Sequence, residues 1–289
     1  MKKGMLALLV IGACFWPPLQ AQDWKKEVQK AAEKGNIDSQ EMLGSMYLLG
    51  KGVPQDDKQA VTWYRKAAEK GNAEAQSSLG FMYLLGKGVP QDDKQAVAWY
   101  RKAAEKGNAE AQQILGSMYL LGKGVPQDDK QAVAWSRKAA EQGHVLAQYE
   151  LGGMYSTGVG VPQDYKQAVT WFRKAAEQGY AVAQYDLGVK YHDGEGVPQD
   201  DKQAVTWYRK AAEQGYAKAQ NNLAVLYAMG QGVPQDYKQA HAWFSVAAAN
   251  GHSNATKGRD MAAAELTPAG KEEAQALASQ YFEQYQPKQ

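Results

Sequence analysis

The pentapeptide GVPQD occurs six times in this sequence and is the first candidate for a ligand-binding motif. The copies begin at Gly52, Gly88, Gly124, Gly160, Gly196 and Gly232, and a lysine precedes the glycine in the first three. A glycine-rich loop with a lysine can hold a phosphate when it follows a strand and opens a helix whose N–H groups are free. No strand pattern precedes these loops, an aspartate occupies the place of the anion, and later copies replace the lysine by Val159, Glu195 and Gln231. The loops are therefore interpreted as structural turns.

Metal binding and acid–base catalysis have weak support in the residue spacing. The four histidines do not pair at the i, i+4 spacing of a helical zinc site: His144, His192, His241 and His252. His192, Asp193 and Glu195 are close in sequence, but solvated surface residues are the favoured interpretation. Glu150 and Asp186 stand at equivalent places in adjacent repeats, which gives general acid–base catalysis little support. No serine-nucleophile motif is present, so the sequence predicts no catalytic residue, no metal and no cofactor.

Composition and charge exclude several classes of partner. The chain has 289 residues, of which 44% are hydrophobic and 10% aromatic, too many for a disordered protein. Its formal net charge of +2 equals the two lysines, Lys2 and Lys3, in a 21-residue N-terminal segment without acidic residues. Without that segment the charge is zero, and a neutral surface of mixed charges gives no electrostatic support for nucleic-acid or anionic-membrane binding.

The N-terminal segment, MKKGMLALLVIGACFWPPLQAQ, has the features of a secretory signal. A positive start, an apolar stretch from Met5 to Trp16 and the small residue Ala21 predict cleavage after Ala21. The stretch is too short to span a membrane. We therefore expect an exported protein, periplasmic or secreted, of a Gram-negative bacterium. The single cysteine, Cys14, follows small residues as in a lipoprotein box, so a lipid anchor at Cys14 is the alternative to a discarded signal.

The rest of the chain is organised as a repeat of 36 residues. Prolines recur at this spacing at Pro54, Pro90, Pro126, Pro162, Pro198 and Pro234, and tryptophans at Trp63, Trp99, Trp135, Trp171, Trp207 and Trp243. The six units are 36–71, 72–107, 108–143, 144–179, 180–215 and 216–251. A period of this length with helix-forming composition predicts paired helices that stack on their neighbours. We interpret the prolines as stiffeners of the turns and the tryptophans as core residues.

One unit shows the predicted pair of helices. Apolar residues between Asn72 and Gly86 recur at helical spacing, and glycines end this first helix. Asp92 follows the turn as the expected N-cap of a second helix, which ends at Gly107. Trp99 lies on the same face of this second helix as the buried alanines. Each unit is therefore predicted to be a helix–turn–helix.

These units resemble the Sel-one-like repeat (SLR) family, a relative of the tetratricopeptide repeats. The family pattern is met at Ala75, Leu79, Gly80, Tyr83, Gly86, Gly88, Val89, Asp92, Ala96, Trp99, Lys102, Ala103, Ala104 and Gly107. Gln95 departs from it, because the family often has lysine there. The resemblance implies an all-α fold, a right-handed α/α superhelical solenoid, whose first helices line a concave surface that binds proteins.

The ends of the chain are predicted to cap the repeats. Residues 22–35 repeat only the end of a second helix and form a half-repeat. Residues 252–289 contain degenerate helices, the last of which begins at Thr267 and Pro268. Terminal units are expected to differ from interior ones, because each has a single neighbour.

A stripe of first-helix positions varies from repeat to repeat and is the predicted binding surface. Its residues are expected to face solvent and to contact a protein or peptide: Phe81, Leu84, Gln113, Leu120, Tyr149, Tyr185, His192 and Asn221. Sequence drift at unimportant positions is the alternative explanation. The predicted function is a non-catalytic interaction scaffold exported to the cell envelope. The alternatives are a secreted host-interaction or virulence factor, or the weak penicillin-binding or β-lactamase-like activity of cysteine-rich family members.

Overall fold

The structure, a computed structural model, describes residues 20–285. This part of the chain contains fifteen α-helices and no strand, which confirms the predicted all-α class. The helices are α1 Gln20–Glu33, α2 Ile37–Leu49, α3 Asp57–Glu69, α4 Ala73–Leu85, α5 Asp93–Glu105, α6 Ala109–Leu121, α7 Asp129–Glu141, α8 Val145–Thr157, α9 Tyr165–Glu177, α10 Ala181–Asp193, α11 Asp201–Ala212, α12 Ala217–Met229, α13 Tyr237–Ala249, α14 Ala255–Ala264 and α15 Pro268–Gln284. Cys14 and most of the predicted signal lie outside the described residues.

The helices form two compact units, unit 1 up to Trp135 and unit 2 from Ser136 onward. Within unit 1, α2 packs on α3, α3 on α4, α4 on α5 and α5 on α6. Within unit 2, the same succession runs from α8 to α14, and α15 packs on α13. Each helix therefore contacts mainly its neighbours in sequence, as expected of stacked helical hairpins.

Local hydrogen bonds explain where the helices of one repeat begin and end. The Asn72 side chain accepts a hydrogen bond from the Ala75 N–H and caps α4. Gly86 ends this helix with a left-handed φ of 68°. Asp92 then accepts hydrogen bonds from the N–H groups of Lys94 and Gln95, which confirms its predicted role as the N-cap of α5. The GVPQD segment thus joins two helices, and its aspartate oxygen is committed to the helix N-terminus.

The repeat tryptophans belong to the packing of the second helices. Trp63, Trp171, Trp207 and Trp243 are buried, whereas Trp99 and Trp135 are half-buried. The lysine three residues later covers the ring in several repeats, and in the first of them the Lys66 Nζ lies 3.9 Å from the Trp63 ring centroid. The spacing of one helical turn places this cation over the aromatic face. The ring faces of these tryptophans are therefore already engaged within the chain.

Tyr100 and Tyr64 occupy equivalent positions in unit 1 but differ in hydrogen bonding. The Tyr64 hydroxyl lies 3.0 Å from the Ser45 Oγ. The Tyr100 hydroxyl is buried and has no hydrogen-bond partner among the described residues. Phe81 stands where the equivalent of Ser45 would be, so it supplies no polar atom. The second tyrosine therefore buries a polar group without compensation, which costs about 1–3 kcal/mol.

We expect the Tyr100→Phe substitution to raise the free energy of unfolding by about 1 kcal/mol, because it removes an unsatisfied hydroxyl. The matched Tyr64→Phe substitution should lower it by about 1 kcal/mol, because it breaks a hydrogen bond. Urea unfolding followed by circular dichroism measures both. Destabilisation of equal size by the two substitutions would contradict this assignment.

The C-terminal helices close the last core. Trp243 lies 4.5 Å from Tyr281 and 5.4 Å from Tyr285, measured between ring centroids. The Tyr281 hydroxyl donates a hydrogen bond of 2.9 Å to the Gln239 Oε1. Thr267 accepts a hydrogen bond from the Gly270 N–H, which confirms the predicted start of α15. The last helix thereby covers the aromatic face that a further repeat would otherwise cover.

Candidate partner-binding surface

The predicted stripe in unit 1 is partly open to solvent. Phe81 is 38% exposed, with the Lys87 Nζ 6.0 Å from its ring centroid. Leu84 is half-buried against the core formed by α5 and α6. Gln113 donates a hydrogen bond of 3.1 Å to the Ser117 Oγ, and Leu120 is half-buried. Phe81 is thus the predicted stripe residue with the most accessible side chain.

In unit 2 the stripe is more buried than the sequence predicts. Tyr149 lies 5.6 Å from the buried ring of Phe172, and Tyr185 lies 5.7 Å from that of Tyr208, measured between centroids. The two tyrosines are therefore half-buried rather than solvent-facing. The sequence predicts solvent-facing side chains at these positions, and in the structure the rings lean onto the second helices and keep only part of their surface accessible.

Two further tyrosines complete this arrangement. Tyr180 lies 5.3 Å from Tyr149, and Tyr216 lies 5.3 Å from Tyr185, measured between ring centroids. All four rings are half-buried, so each keeps part of its surface accessible. We call Tyr149, Tyr180, Tyr185 and Tyr216, together with Asp186, the tyrosine cluster.

Asp186 is the charged member of the tyrosine cluster. Burial raises the pKa of its carboxyl, and a hydrogen bond donated by the Tyr149 hydroxyl acts in the opposite direction. Burial also raises the pKa of Tyr149, and the Asp186 charge raises it further. Burial raises the pKa of Tyr180, and the charges of Glu150 and Asp186 raise it further; at Tyr216 the Asp186 charge likewise adds to the effect of burial on the pKa. The Asp186 carboxylate therefore acts electrostatically on hydroxyl groups from several helix starts.

Tyr180 and Tyr216 stand at positions where other repeats have helix caps. Asn72 and Asn108 accept hydrogen bonds from the first turns of α4 and α6, and His144 Nδ1 does so for α8. Neither tyrosine makes a side-chain cap. A lost N-cap costs about 0.5–2 kcal/mol, whereas an aromatic pair contributes about 0.5–1.5 kcal/mol beyond its burial. A comparison of the repeats at this position is the sequence signal for the cluster, and the stripe prediction did not use it.

His192 does not assemble a metal site with its neighbours in sequence. Its Nδ1 lies 2.7 Å from the Asp201 Oδ1 at the start of α11. Glu195 instead pairs with Lys190. Among the described residues, no three histidine, cysteine, aspartate or glutamate side chains are placed to hold a metal ion. The half-buried His192 therefore links a first helix to the following second helix.

Asn221 lies beside an apolar pocket of about 620 Å³ in unit 2. The pocket is lined by residues of α12, α13 and α14, among them Val225, Met229, Phe244 and Met261. Gly258 contributes no side chain at this point, and a Cβ there would come within 2.5 Å of the Phe244 ring. Met229 and Met261 are strongly exposed at its rim. This pocket is large enough for one apolar side chain of a partner.

A membrane-spanning segment is not found among the described helices, none of which is both long and apolar enough to cross a bilayer.

Comparison with known proteins gives a consistent result for the fold. The model of the Sel1 repeat matches residues 37–72, 73–108, 109–144, 145–180, 181–216 and 217–252. A Sel1 repeat protein from Oxalobacter formigenes is 40% identical with a TM-score of 0.70, and the match covers 83% of this chain and 69% of that one. A protective antigen of uropathogenic Escherichia coli with an SLR fold is 32% identical with a TM-score of 0.48, and the match covers 93% and 80%.

The cysteine rich protein B of Helicobacter pylori is 30% identical over 46% of this chain and 96% of that one, with a TM-score of 0.36. A search among curated proteins gives no match. Sel1 repeat proteins are generally non-catalytic scaffolds for protein interactions. Six consecutive matches to the repeat model span most of the sequence, and the chain belongs to the Sel1 repeat family.

Proposed function

We propose that this chain is a non-catalytic scaffold that binds a protein or peptide partner along the first helices of its repeats. The observation that carries the proposal is a contrast between two sets of positions. Leu79 and Gly80 recur with little change through the repeats and are buried, whereas each stripe position carries several different residue types among the six repeats. The changes leave accessible aromatic surface at Phe81 and half-open rings at Tyr149 and Tyr185. Such side chains are typical anchors of protein interfaces.

A triple substitution tests this proposal. Phe81, Tyr149 and Tyr185 are replaced by alanine, and folding is checked by circular dichroism. Partners captured from the cell envelope are identified, purified and measured for binding. We expect the partner affinity to fall by about 100-fold or more, because each buried aromatic anchor contributes about 2 kcal/mol or more.

A matched control removes three exposed apolar side chains outside the stripe. Leu49, Leu85 and Leu121 end α2, α4 and α6 at equivalent positions and are all exposed. Their replacement by alanine should leave the affinity unchanged. An unchanged partner profile in the folded stripe variant would refute the proposed function. We also expect no hydrolysis of a chromogenic β-lactam, because residues 22–289 contain neither a cysteine nor the S-x-x-K motif.

We propose further that the protein is exported. The basic start, the apolar stretch and Ala21 support this proposal. Mass spectrometry of the protein from a bacterial envelope fraction tests it, and a mature chain beginning at Gln22 is the expected result. A lipid-modified N-terminus at Cys14 would indicate the anchored form. An unprocessed chain recovered from the cytoplasm would contradict export.

A further inference from the structure

Several aromatic side chains of unit 2 are paired with a positive charge, whereas, among the described residues, the rings of the tyrosine cluster are not. The Lys174 Nζ lies 3.9 Å from the Trp171 ring centroid. The Arg173 guanidinium donates a hydrogen bond of 2.7 Å to the Tyr191 hydroxyl. By contrast, no lysine or arginine within residues 24–285 stacks on any ring of the cluster. The chain therefore supplies its own cations to several aromatic groups of unit 2 and leaves these four rings without one.

The charge in the cluster is negative. The Asp186 carboxylate receives a hydrogen bond from the Tyr149 hydroxyl, and a carboxylate has lone pairs for further donors. Lys190, one of two nearby bases, is paired with Glu195 and lies 4.7 Å from the Tyr165 ring centroid. Lys218, the other, is exposed to solvent. A donor with positive charge would therefore complement both the carboxylate and the ring faces.

Resting on the proposed function, we propose that the tyrosine cluster binds a basic side chain of the partner, the guanidinium of an arginine or the ammonium of a lysine. Aromatic faces attract cations through the ring quadrupole, and the attraction is stronger where water is partly excluded. The carboxylate adds a charge-assisted hydrogen bond. Partner recognition by unit 2 thus depends on charge as well as on apolar contact.

The uncapped helices support this proposal independently. Asparagine would cap α10 and α12 as it caps α4 and α6. Tyr180 and Tyr216 have lost these hydrogen bonds in two consecutive repeats. Places where a protein departs from a local rule that its other repeats follow are often functional. The departure here positions both additional rings of the cluster.

Two blocked pentapeptides test the proposal, Gly-Gly-Arg-Gly-Gly and the neutral Gly-Gly-Gln-Gly-Gly. They are titrated into the full chain with ¹³C-labelled tyrosine, and the ring signals are followed by NMR. We expect the arginine peptide to shift the signals of the cluster with a dissociation constant in the millimolar range, and the glutamine peptide not to do so. Replacing Asp186 by asparagine should weaken this binding by about tenfold. The control Glu272→Gln, an exposed carboxylate on α15, should leave it unchanged.

A second variant, Tyr180→Asn with Tyr216→Asn, removes half of the rings and supplies the residue that caps equivalent helices. We expect it to fold and to lose binding of the arginine peptide, and it decides the question if Asp186→Asn fails to fold. Equal shifts with both peptides, no shift with either, or full binding by these variants would overturn the proposal. If the stripe variant loses the partner but the arginine peptide never binds, this inference fails while the proposed function stands. If the arginine peptide binds but the stripe variant keeps its partner profile, the cluster binds a basic side chain while the proposed function fails.

Discussion

Replacing Gly88 by alanine is expected to lower the free energy of unfolding by about 2–5 kcal/mol. Gly88 has a φ of 69°, where a residue with a side chain pays about 1–2 kcal/mol. A Cβ at this position would also lie 2.9 Å from the Lys58 N and closer still to the Asp57 carbonyl of the preceding repeat. These atoms belong to the backbone of α3, so a side-chain rotation cannot relieve the contact.

Gly107 provides a matched control in the same unit. Its φ of 92° also disfavours alanine, but an added Cβ would meet nothing within 4 Å. The Gly107→Ala substitution should therefore cost only the conformational part, about 1–2 kcal/mol. Urea unfolding followed by both circular dichroism and tryptophan fluorescence measures the difference. Equal losses at the two positions would show that the contact with α3 has no energetic weight.

The sequence predicts most of the fold because the same local rules recur in every repeat. Asp92 is recognisable as an N-cap from its place between a proline turn and a helical pattern, and the structure confirms it. Thr267 is recognisable for a similar reason, since a proline follows it at the first helical position. Such signals depend on residues a few positions apart, so they can be recognised in a single amino-acid sequence.

The tyrosine cluster could not be predicted by the same means. A tyrosine at the N-cap position predicts that the side-chain cap is missing, but it does not predict which neighbouring residues the ring contacts. The ring of Tyr180, before α10, contacts Tyr149 of α8, and the ring of Tyr216, before α12, contacts Tyr185 of α10. The positions of these rings therefore depend on a different helix from the one that each tyrosine precedes. His192 is similar, because its partner Asp201 is nine residues away, across a loop. Tertiary contacts of this kind decide how much of each stripe side chain stays accessible.

The repeat gives each interior position several internal controls. The Asn108 side chain makes the N-cap hydrogen bond that is missing at Tyr180. The Tyr64 hydroxyl makes the side-chain hydrogen bond that is missing at Tyr100. The effect of a departure from the common pattern can therefore be measured by comparison with the equivalent position in another repeat of the same chain. The departures near the tyrosine cluster weaken a helix start and gain aromatic contacts, so their effect on stability is small. Their effect on recognition is expected to be larger.

Replacing Gly152 by alanine is expected to destabilise unit 2, whereas the same change at the adjacent Gly153 should stabilise it. Both glycines lie inside α8, where alanine is favoured over glycine by about 0.5–1 kcal/mol. A Cβ at Gly152 would lie 2.6 Å from the Phe172 Cδ1, whereas a Cβ at Gly153 would meet nothing within 4 Å. Overpacking costs about 1–3 kcal/mol, so we expect a net loss of about 1–2 kcal/mol for Gly152→Ala.

The Phe172 ring has little room to give way. It is buried and lies 5.6 Å from Tyr149 between ring centroids, so a displaced ring would press on the tyrosine cluster. Thermal and urea unfolding of the two single variants measure the opposite signs, and the Tyr149 ring signal reports the displacement. If Gly152→Ala is as stable as Gly153→Ala and leaves that signal unchanged, the close packing of α8 on α9 does not fix the position of the cluster. If it shifts the signal, the glycine that permits the two helices of this repeat to pack closely also positions Tyr149.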